Sequence, residues 1–303
     1  LLRVAATLRI SAFNIRTFGD SKMSNQTIAD FIVSILVQYD ITLVQEVRDA
    51  DLSSVKKLVS QLNRDPDGTG CLVPANGRLG RAWAASCCAP TPPAWPERSS
   101  LTVPMSSSAS SYPYSFLSSI PLGRNSYKEQ YVFIYRSDIV SVLESYYYDD
   151  GCESCGTDIF SREPFIVKFS SPTTQAEEFV MVPLHSAPHD AVAEIDALYD
   201  VYLAVVNKWG TDNIVFLGDF NADCSYVKQS DWASIRLRSS DVFKWLIPDS
   251  ADTTVGKSDC AYDRIVVCGA KLKRSIVPNS ATVYNFQRAF QLEQEEVSRD
   301  HQP

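Results

Sequence analysis

The stretch IVFLGDFNAD, residues 214–223, joins an apolar run to closely spaced polar side chains. The run from Ile214 to Leu217 predicts a buried β-strand. Asp219 and Asn221 follow it, and residues two apart in a strand point to the same side. We therefore expect the two side chains to project together from the end of a rigid strand, where α/β domains tend to place functional groups. Taken alone, a polar turn that only ends a strand explains the stretch equally well.

The same arrangement recurs at other strand-like segments of the chain. Asn14 closes SAFN, Glu46 closes VQE, His185 closes VPLH and Asp263 opens YDRIVV. A purely structural protein has no need to end five strands in this way. Carboxylates and amide oxygens bind hard divalent cations, and histidines and carboxylates transfer protons. The sequence therefore predicts an acid–base site that depends on a divalent cation.

Strand-like and helical segments alternate along the chain, which is typical of one layered α/β domain. The strand-like runs include LRISAFNI, ITLVQEV, QYVFIYR, PFIVKFS, EFVMVPLHS, NIVFLGDFN and YDRIVVCG. Helical periodicity appears in QTIADFIVSILVQY, with Ser24 or Asn25 as its N-cap, and in ADLSSVKKLVSQLN. The long helix DAVAEIDALYDVYLAVVNKW is expected to turn an apolar face inward that includes Ile195, Leu198 and Leu203.

Composition sets limits on function. The chain has 303 residues, 28 Lys and Arg against 36 Asp and Glu, and a net charge of −8. This balance excludes binding of nucleic acid through bulk positive potential, although it leaves carboxylates for cation binding. No apolar run approaches the roughly 18 residues that span a bilayer, so we expect no membrane insertion.

Two segments differ from the rest of the chain. Residues 1–7, LLRVAAT, resemble the end of a secretory signal peptide, with the mature chain starting at Leu8. The alternative is an ordinary start to the first strand. From 68 to 111 the periodicity vanishes and Pro, Ser and Ala dominate. Because structureless loops longer than about 12–15 residues are uncommon in compact domains, we predict a disordered insertion within a single domain spanning 8–303.

Cysteines and a sequon favour secretion. Cys152 and Cys155 form a C-x-x-C pair that fits a redox motif, half a zinc site or a short disulfide. The chain has no second C-x-x-C pair to complete a zinc site, and a secreted chain favours the disulfide. Asn25-Gln26-Thr27 is the only N-x-S/T sequon and makes Asn25 a candidate for glycosylation.

Several long segments resemble the deoxyribonuclease I family. They are LRISAFNI, LVQEVRD, LGRNSYKEQYVFIYR, SREPF, PLHSAP, GDFNADCSYV and CAYDRIVV. The resemblance covers nearly all of the chain except the leader, the insertion and the last dozen residues. The resemblance implies a four-layered α/β sandwich, in which two packed, mostly antiparallel β-sheets are flanked by helices. It also implies a secreted, divalent-cation-dependent endonuclease that cleaves double-stranded DNA to leave 5′-phosphate ends. We expect a monomer, and actin is a candidate partner because some family members bind it.

The resemblance assigns roles to individual positions. The implied catalytic residues are Glu129, His185, Asp263 and His301. The residues implied to contact the phosphate and the catalytic cation, which is Mg²⁺ or Mn²⁺, are Asn14, Glu46, Asp219, Asn221 and Asp300. The DNA-contacting residues are Arg48, Asn125, Tyr127 and Arg162. A structural Ca²⁺ site is expected on Asp150, Asp158, the Phe160 carbonyl and Glu163, and a second around Asp252 and Thr254. The implied disulfides are Cys152–Cys155 and Cys224–Cys260, which leaves Cys71, Cys87, Cys88 and Cys268 without assigned partners.

These residue types suit phosphodiester hydrolysis. A bound cation neutralises the charge that grows on the phosphate. A histidine, with an ordinary pKa near 6.5, exchanges a proton with water or the 3′ oxygen. A carboxylate on the other ring nitrogen fixes the tautomer. Two His–carboxylate pairs therefore provide one acid and one base, and the sequence does not assign which is which. His189, at the head of a helix, is expected to take no part.

The final segment, VSRDHQP at 297–303, departs from the family pattern. The family carries Ser-Asp-His-x-Pro followed by a further strand, whereas here Arg299 follows the Ser and no strand comes after Pro303. We therefore expect His301 to be the right residue in a loosened position, with reduced activity. Two alternatives stay open: a non-catalytic binding protein, and a phosphatase of the same fold acting on lipid or inositol phosphates.

Overall fold

The structure is a computed structural model, and it describes residues 7–63, 113–152, 155–255 and 258–292. The predictions for residues 1–6, for 68–111 and for Asp300 and His301 fall outside these ranges.

The described chain alternates strands and helices as predicted. The strands are β1 (Ile10–Phe18), β2 (Ile41–Val47), β3 (Tyr114–Ser118), β4 (Gln130–Arg136), β5 (Ser141–Tyr147), β6 (Phe165–Ser171), β7 (Glu177–Pro183), β8 (Ile214–Asp219), β9 (Lys244–Trp245) and β10 (Asp263–Val267). The helices are α1 (Asp20–Ser24), α2 (Gln26–Leu36), α3 (Ser53–Leu62), α4 (Ala191–Trp209), α5 (Arg236–Ser239), α6 (Ala270–Ser275) and α7 (Phe286–Ala289). Asn25 caps α2 by accepting hydrogen bonds from the amides of Thr27 and Ile28, as expected.

The strands form two mixed sheets. One has the order β1-β2-β4-β3 and the other β5-β6-β7-β8-β10-β9. Only the neighbours β1/β2 and β7/β8 run parallel among the described strands. The sheets are therefore mostly antiparallel, as predicted.

Three clusters of buried apolar side chains lie between the helices and sheets, one between the two sheets and one on the outer face of each sheet. Alternate residues of β2 take different sides, because side chains alternate along a strand. Val44 packs under α2 and α3, whereas Ile41 and Leu43 face β6, β7 and β8 of the other sheet. On the outer face of the second sheet, Phe216 packs with residues of α4. The predicted order of helix, sheet, sheet and helix is confirmed.

The inward face of α4 differs from the prediction. Leu203 is 48% exposed, and the buried positions include Ile195, Leu198, Val201 and Val205. This helix carries apolar residues on more than one side, so periodicity alone does not identify the stripe that meets the sheet. Packing against β8 and its neighbours selects the stripe through Val201 and Val205.

Both predicted disulfides are present, Cys152–Cys155 and Cys224–Cys260. Cys268 is buried with a free thiol, which donates to the Asp212 carbonyl over 3.1 Å. Burial raises the pKa of this thiol to about 12. In the described part of the chain, no helix combines the length and apolar character needed to cross a membrane.

Candidate active site

The two sheets bring the predicted strand-end residues to one place. Because β7 and β8 are parallel and β10 is antiparallel to β8, His185 after β7, Asp219 at the end of β8 and Asp263 at the start of β10 meet at one edge. Asp219 and Asp263 are directly opposite in the ladder. The prediction that Asn14 ends its strand is wrong, because β1 continues to Phe18. The pairing of β1 with β2 is irregular between those two residues, and such irregularities re-aim side chains near active sites.

Glu129 and His185 form the predicted carboxylate–histidine pair. His185 Nδ1 lies 2.8 Å from Glu129 Oε2, and both residues are buried. The backbone amide of His185 donates to the hydroxyl of buried Tyr131 over 2.9 Å, which fixes the main chain. Burial disfavours the charged imidazole, but the hydrogen bond to Glu129 and the charge of Asp219 outweigh it and raise the pKa of His185. A proton on Nδ1 leaves Nε2 as the exchanging atom.

Glu129 is held by more than the histidine. Arg162 places Nε 2.8 Å from Glu129 Oε2 and donates from Nη2 to Oε1 over 3.1 Å. Arg162 also donates to the His185 carbonyl over 3.0 Å. Burial opposes ionisation of Glu129, but the hydrogen bond and charge of His185, with Arg162 and the Tyr127 hydroxyl, lower its pKa. Arg162, predicted as a DNA contact, therefore has its side chain committed to the Glu129–His185 pair.

Asp219 lies at the centre of the site. Asn14 Nδ2 donates to Asp219 Oδ2 over 3.1 Å, and the backbone amide of Asn221 donates to Oδ1 over 3.0 Å. His185 Nε2 is 4.0 Å from Oδ2. The exchanging nitrogen therefore faces a carboxylate without bonding tightly to it.

Asp263 adds a second carboxylate beside Asp219. Burial, followed by the charge of Asp219, raises the pKa of Asp263 to about 7. Its backbone amide donates to Thr253 Oγ1 over 3.0 Å. Buried Arg264 donates to the carbonyls of Ala261 over 2.7 Å and of Ala222 over 3.1 Å, which ties the segment before Asp263 to the segment after β8.

The residues fit a hard divalent cation. Asn14 Oδ1 is buried and has no hydrogen-bond partner among the described residues. Glu46 adopts a positive φ of 56°, which turns its residue out of the regular strand near Asn14, and its Oε2 accepts from the Thr17 amide over 3.2 Å. No three His, Cys, Asp or Glu side chains within the described ranges form a metal cluster on their own. Mg²⁺ does not need one, because it uses one or two carboxylates and completes its shell with water and phosphate.

Basic and aromatic side chains border the site. The Arg48 guanidinium lies over the Tyr127 ring, 4.2 Å from its centroid, and both residues are exposed. Beside them is an open cleft of about 310 Å³, lined by Asn125, Tyr127, Ser161, Arg162, Pro188 and Asp190 among others. Arg48, Asn125 and Tyr127 therefore share one surface next to Glu129.

Asp150 and Asp158 lie close together, as predicted for a cation site. Asp150 Oδ2 accepts from the amides of Ile159 and Phe160 over 2.7 and 2.6 Å. Burial and Asp150 raise the pKa of Asp158 to about 6, although Arg124 pairs with it over 3.1 Å. The Phe160 amide, rather than its carbonyl, makes the observed contact with Asp150. Glu163, also predicted as a ligand, is partly buried two residues before β6.

The second predicted calcium position is internally paired. Asp252 Oδ1 accepts from both the amide and the hydroxyl of Thr254, over 3.0 and 2.7 Å. The Thr254 hydroxyl is also within 2.7 Å of the Ser258 carbonyl. The polar atoms predicted as ligands already bind one another.

Sequence reasoning missed Gln45. This residue is fully buried on β2 and bonds to the backbone beside His185 and at Asp219. Its sequence signal is a glutamine within an otherwise apolar strand run, where an uncharged polar side chain needs a buried partner.

Comparisons with known proteins agree with this geometry. Residues 12–284 match the model of the endonuclease/exonuclease/phosphatase family, and the chain belongs to this family. The human Nocturnin catalytic domain shares the fold, with a TM-score of 0.50 and 12% identity over 88% of this chain and 84% of that one.

Closer relatives define the branch. Deoxyribonuclease-1 of Gallus gallus is 67% identical over all of this chain and 93% of its own length. Deoxyribonuclease-1-like 2 of Homo sapiens is 51% identical over 98% of this chain and 91% of its own length. Within the larger family, the chain is therefore a member of the deoxyribonuclease I family, and the predicted resemblance is confirmed.

Proposed function

We propose that this chain is an endonuclease that hydrolyses phosphodiester bonds of double-stranded DNA and leaves 5′-phosphate ends. The observation that carries the proposal is the buried Glu129–His185 pair, whose free nitrogen faces Asp219. Relatives that are 51–67% identical carry the name deoxyribonuclease, and this points to the same substrate.

The proton-transfer step belongs to His185. Its Nδ1 proton is held by Glu129, so Nε2 is available to take a proton from an attacking water or to donate one to the leaving 3′ oxygen. Glu129 stabilises the imidazolium that forms, as the hydrogen bond already raises the pKa of His185. Asp263 beside Asp219 offers a second proton-transfer group, for which His301 is the proposed partner.

The cation position is proposed on Glu46, Asn14 and Asp219, with Asn221 and Asp300 as the remaining predicted contacts. Asn14 Oδ1 has no hydrogen-bond partner in the part of the chain that the structure describes, and Glu46 has a positive φ; both observations support this choice. A bound Mg²⁺ or Mn²⁺ supplies charge neutralisation at the phosphate. The residues of the chain orient the ion and keep His185 in its working tautomer.

DNA is proposed to bind across the surface made by Arg48, Asn125 and Tyr127. With a net charge of −8, the chain has to attract DNA through a local surface rather than its overall field. The stacked Arg48 and Tyr127 project beside Glu129, and a guanidinium in a narrow minor groove meets enhanced negative potential. A cleavage site next to this surface places the phosphate near His185.

We also propose secretion, a single domain over 8–303 interrupted by 68–111, and a structural Ca²⁺ at Asp150 and Asp158. Two disulfides support an oxidising compartment. Asn25 is exposed and uses only Oδ1 for its cap, which leaves its amide nitrogen for a glycan. The chain is proposed to act as a monomer, and actin remains a candidate partner from the resemblance alone.

The experiment is a substrate comparison with the purified chain. Supercoiled plasmid, inositol phosphates and phosphorylated lipids are incubated with Mg²⁺ and Ca²⁺, with and without excess EDTA. We expect plasmid nicking that requires the cation, and product ends that DNA ligase can reseal because they carry 5′-phosphates. Release of phosphate from the small substrates without nicking favours the phosphatase. Nicking at full rate in excess EDTA contradicts the cation requirement.

A further inference from the structure

The buried side-chain amide of Gln45 joins the two sheets at the active site, beside the contacts that Asn14 and Glu129 make with Asp219 and His185. Gln45 is fully buried on β2 of the four-stranded sheet, and its side chain reaches the six-stranded sheet. Its Nε2 donates to the Leu184 carbonyl over 2.8 Å, and its Oε1 accepts from the Asp219 amide over 2.9 Å. Donor and acceptor are therefore both used. Their partners are Asp219 of β8 and Leu184, which directly follows β7 of the six-stranded sheet.

The two partners adjoin the chemistry on that sheet. Leu184 immediately precedes His185, and Asp219 faces the exchanging nitrogen of His185. The backbones of these segments are already joined, because the Ser186 amide donates to the Asp219 carbonyl over 3.1 Å. Gln45 attaches this joined unit to the sheet that carries Asn14, Glu46 and Glu129.

Gly218 makes room for the amide. Its φ is +127°, and a Cβ there would lie 2.4 Å from the Leu184 carbonyl oxygen and 2.6 Å from Gln45 Nε2. Both distances are far below van der Waals contact, so any larger residue would displace the Gln45 amide. The chain thus combines a buried polar residue with the only residue type that leaves space for it.

We propose that Gln45 is a positioning residue that sets the spacing between the two halves of the site. One half is Asn14, Glu46 and Glu129, and the other is His185 and Asp219. This inference rests on the proposed nuclease function. An apolar side chain at 45 would fill the space but leave the Leu184 carbonyl and the Asp219 amide without partners, a cost that displacement of the sheets would relieve.

The test compares Gln45→Leu and Gln45→Met with the parent chain. Gln45→Met retains the length of the side chain in case the leucine variant does not fold. Gln38→Leu is the control, because Gln38 also donates to a carbonyl, that of Ser34 over 2.9 Å, and to the Tyr284 hydroxyl, away from the site. Each protein is measured for kcat and KM of plasmid nicking, melting temperature, and hydrogen exchange at the Asp219 amide.

We expect kcat to fall about 10–100-fold, the usual effect of losing a group that orients catalytic residues. KM for DNA should stay unchanged, since Arg48 and Tyr127 are untouched, and the Asp219 amide should lose protection. Unchanged kcat alongside lost protection would overturn the proposal, as would a loss of kcat that matches the unfolded fraction. If the parent does not nick DNA, the nuclease assignment fails separately, and the exchange measurement still tests the hydrogen bond.

Discussion

Glu129 contacts three side chains, and its charge affects the pKa of one of them, His185. It contacts His185, Arg162 and the Tyr127 hydroxyl. Glu129→Gln keeps the shape but removes the charge that helps to raise the pKa of His185. We expect nicking to fall by a factor on the order of 10²–10⁴, typical of a lost acid–base component. Where His185 must be neutral to accept a proton, the acid limb of the pH–rate profile should also move to lower pH.

Glu178→Gln is the control, because Glu178 is a surface carboxylate that pairs with Lys168. An acid limb that stays in place would contradict the role given to the Glu129–His185 bond.

The raised pKa of Asp263 predicts how the stability of the protein depends on pH. Its pKa rises from the ordinary value near 4 to about 7 in the folded chain. The folded state therefore keeps a proton that the unfolded state loses, and stability falls as pH rises from about 4 to 7. Asp263→Asn removes this effect. In EDTA, the free energy of unfolding of this variant should exceed that of the parent by an amount that grows across this range and reaches on the order of 4 kcal/mol near pH 7.

The exposed Asp241→Asn serves as the control for that experiment. A difference between Asp263→Asn and the parent that does not change with pH would show that Asp263 is not held protonated. Nicking by Asp263→Asn should fall even as its stability rises, because the carboxylate lost is part of the proposed site.

Residue types at the site could be predicted from the sequence, whereas some of their contacts could not. Asp219, His185 and Asp263 follow or precede apolar runs, and the strand directions alone bring them together. The inward orientation of Arg162 and the role of Gln45 depend on how closely the two sheets pack. No local pattern encodes that distance.

At the scale of elements, periodicity predicted most strands and helices but not their details. The face of α4 was wrong at Leu203, because the helix has apolar residues on several sides and only packing selects one. The prediction that Asn14 closes its strand was also wrong, because β1 continues to Phe18 through an irregular pairing with β2 that the apolar pattern does not reveal. Side-chain to backbone hydrogen bonds between residues far apart in the chain could not be predicted from periodicity at all.

Two hydrogen bonds between Asn63 and Tyr114 indicate that the insertion contributes little to stability. Asn63 and Tyr114 flank the segment 64–113. Asn63 Nδ2 donates to the Tyr114 carbonyl over 3.0 Å, and the Tyr114 amide donates to Asn63 Oδ1 over 2.7 Å. Their positions are therefore fixed on either side of the insertion. Replacing 68–111 by a short Gly/Ser linker should leave the melting temperature unchanged or raise it, because loop closure costs only about 0.6 kcal/mol per doubling of length. A large fall in the melting temperature would show that the segment packs on the domain.

At the scale of the whole molecule, the proposed nuclease function depends on two sheets meeting at one edge. The four-stranded sheet brings Glu46 and Glu129, and the six-stranded sheet brings His185, Asp219 and Asp263. The alternation of apolar runs predicted a layered α/β domain, and the resemblance to the deoxyribonuclease I family predicted its four layers. The relative placement of the sheets, and so the 2.8 Å contact between Glu129 and His185, follows from packing across their shared interface.

Plasmid nicking by two histidine variants tests this account most directly. His185 is buried in the Glu129 pair, whereas His189 is exposed four residues later at the head of α4, so the two substitutions differ in site but not in chemistry. With Mg²⁺ and Ca²⁺ present, we predict that His185→Ala loses nicking by at least about 10²-fold, as expected for a lost proton-transfer group. His189→Ala should cleave at the rate of the parent, and all three proteins should remain folded. Equal nicking by the parent and by folded His185→Ala would contradict the proposed mechanism.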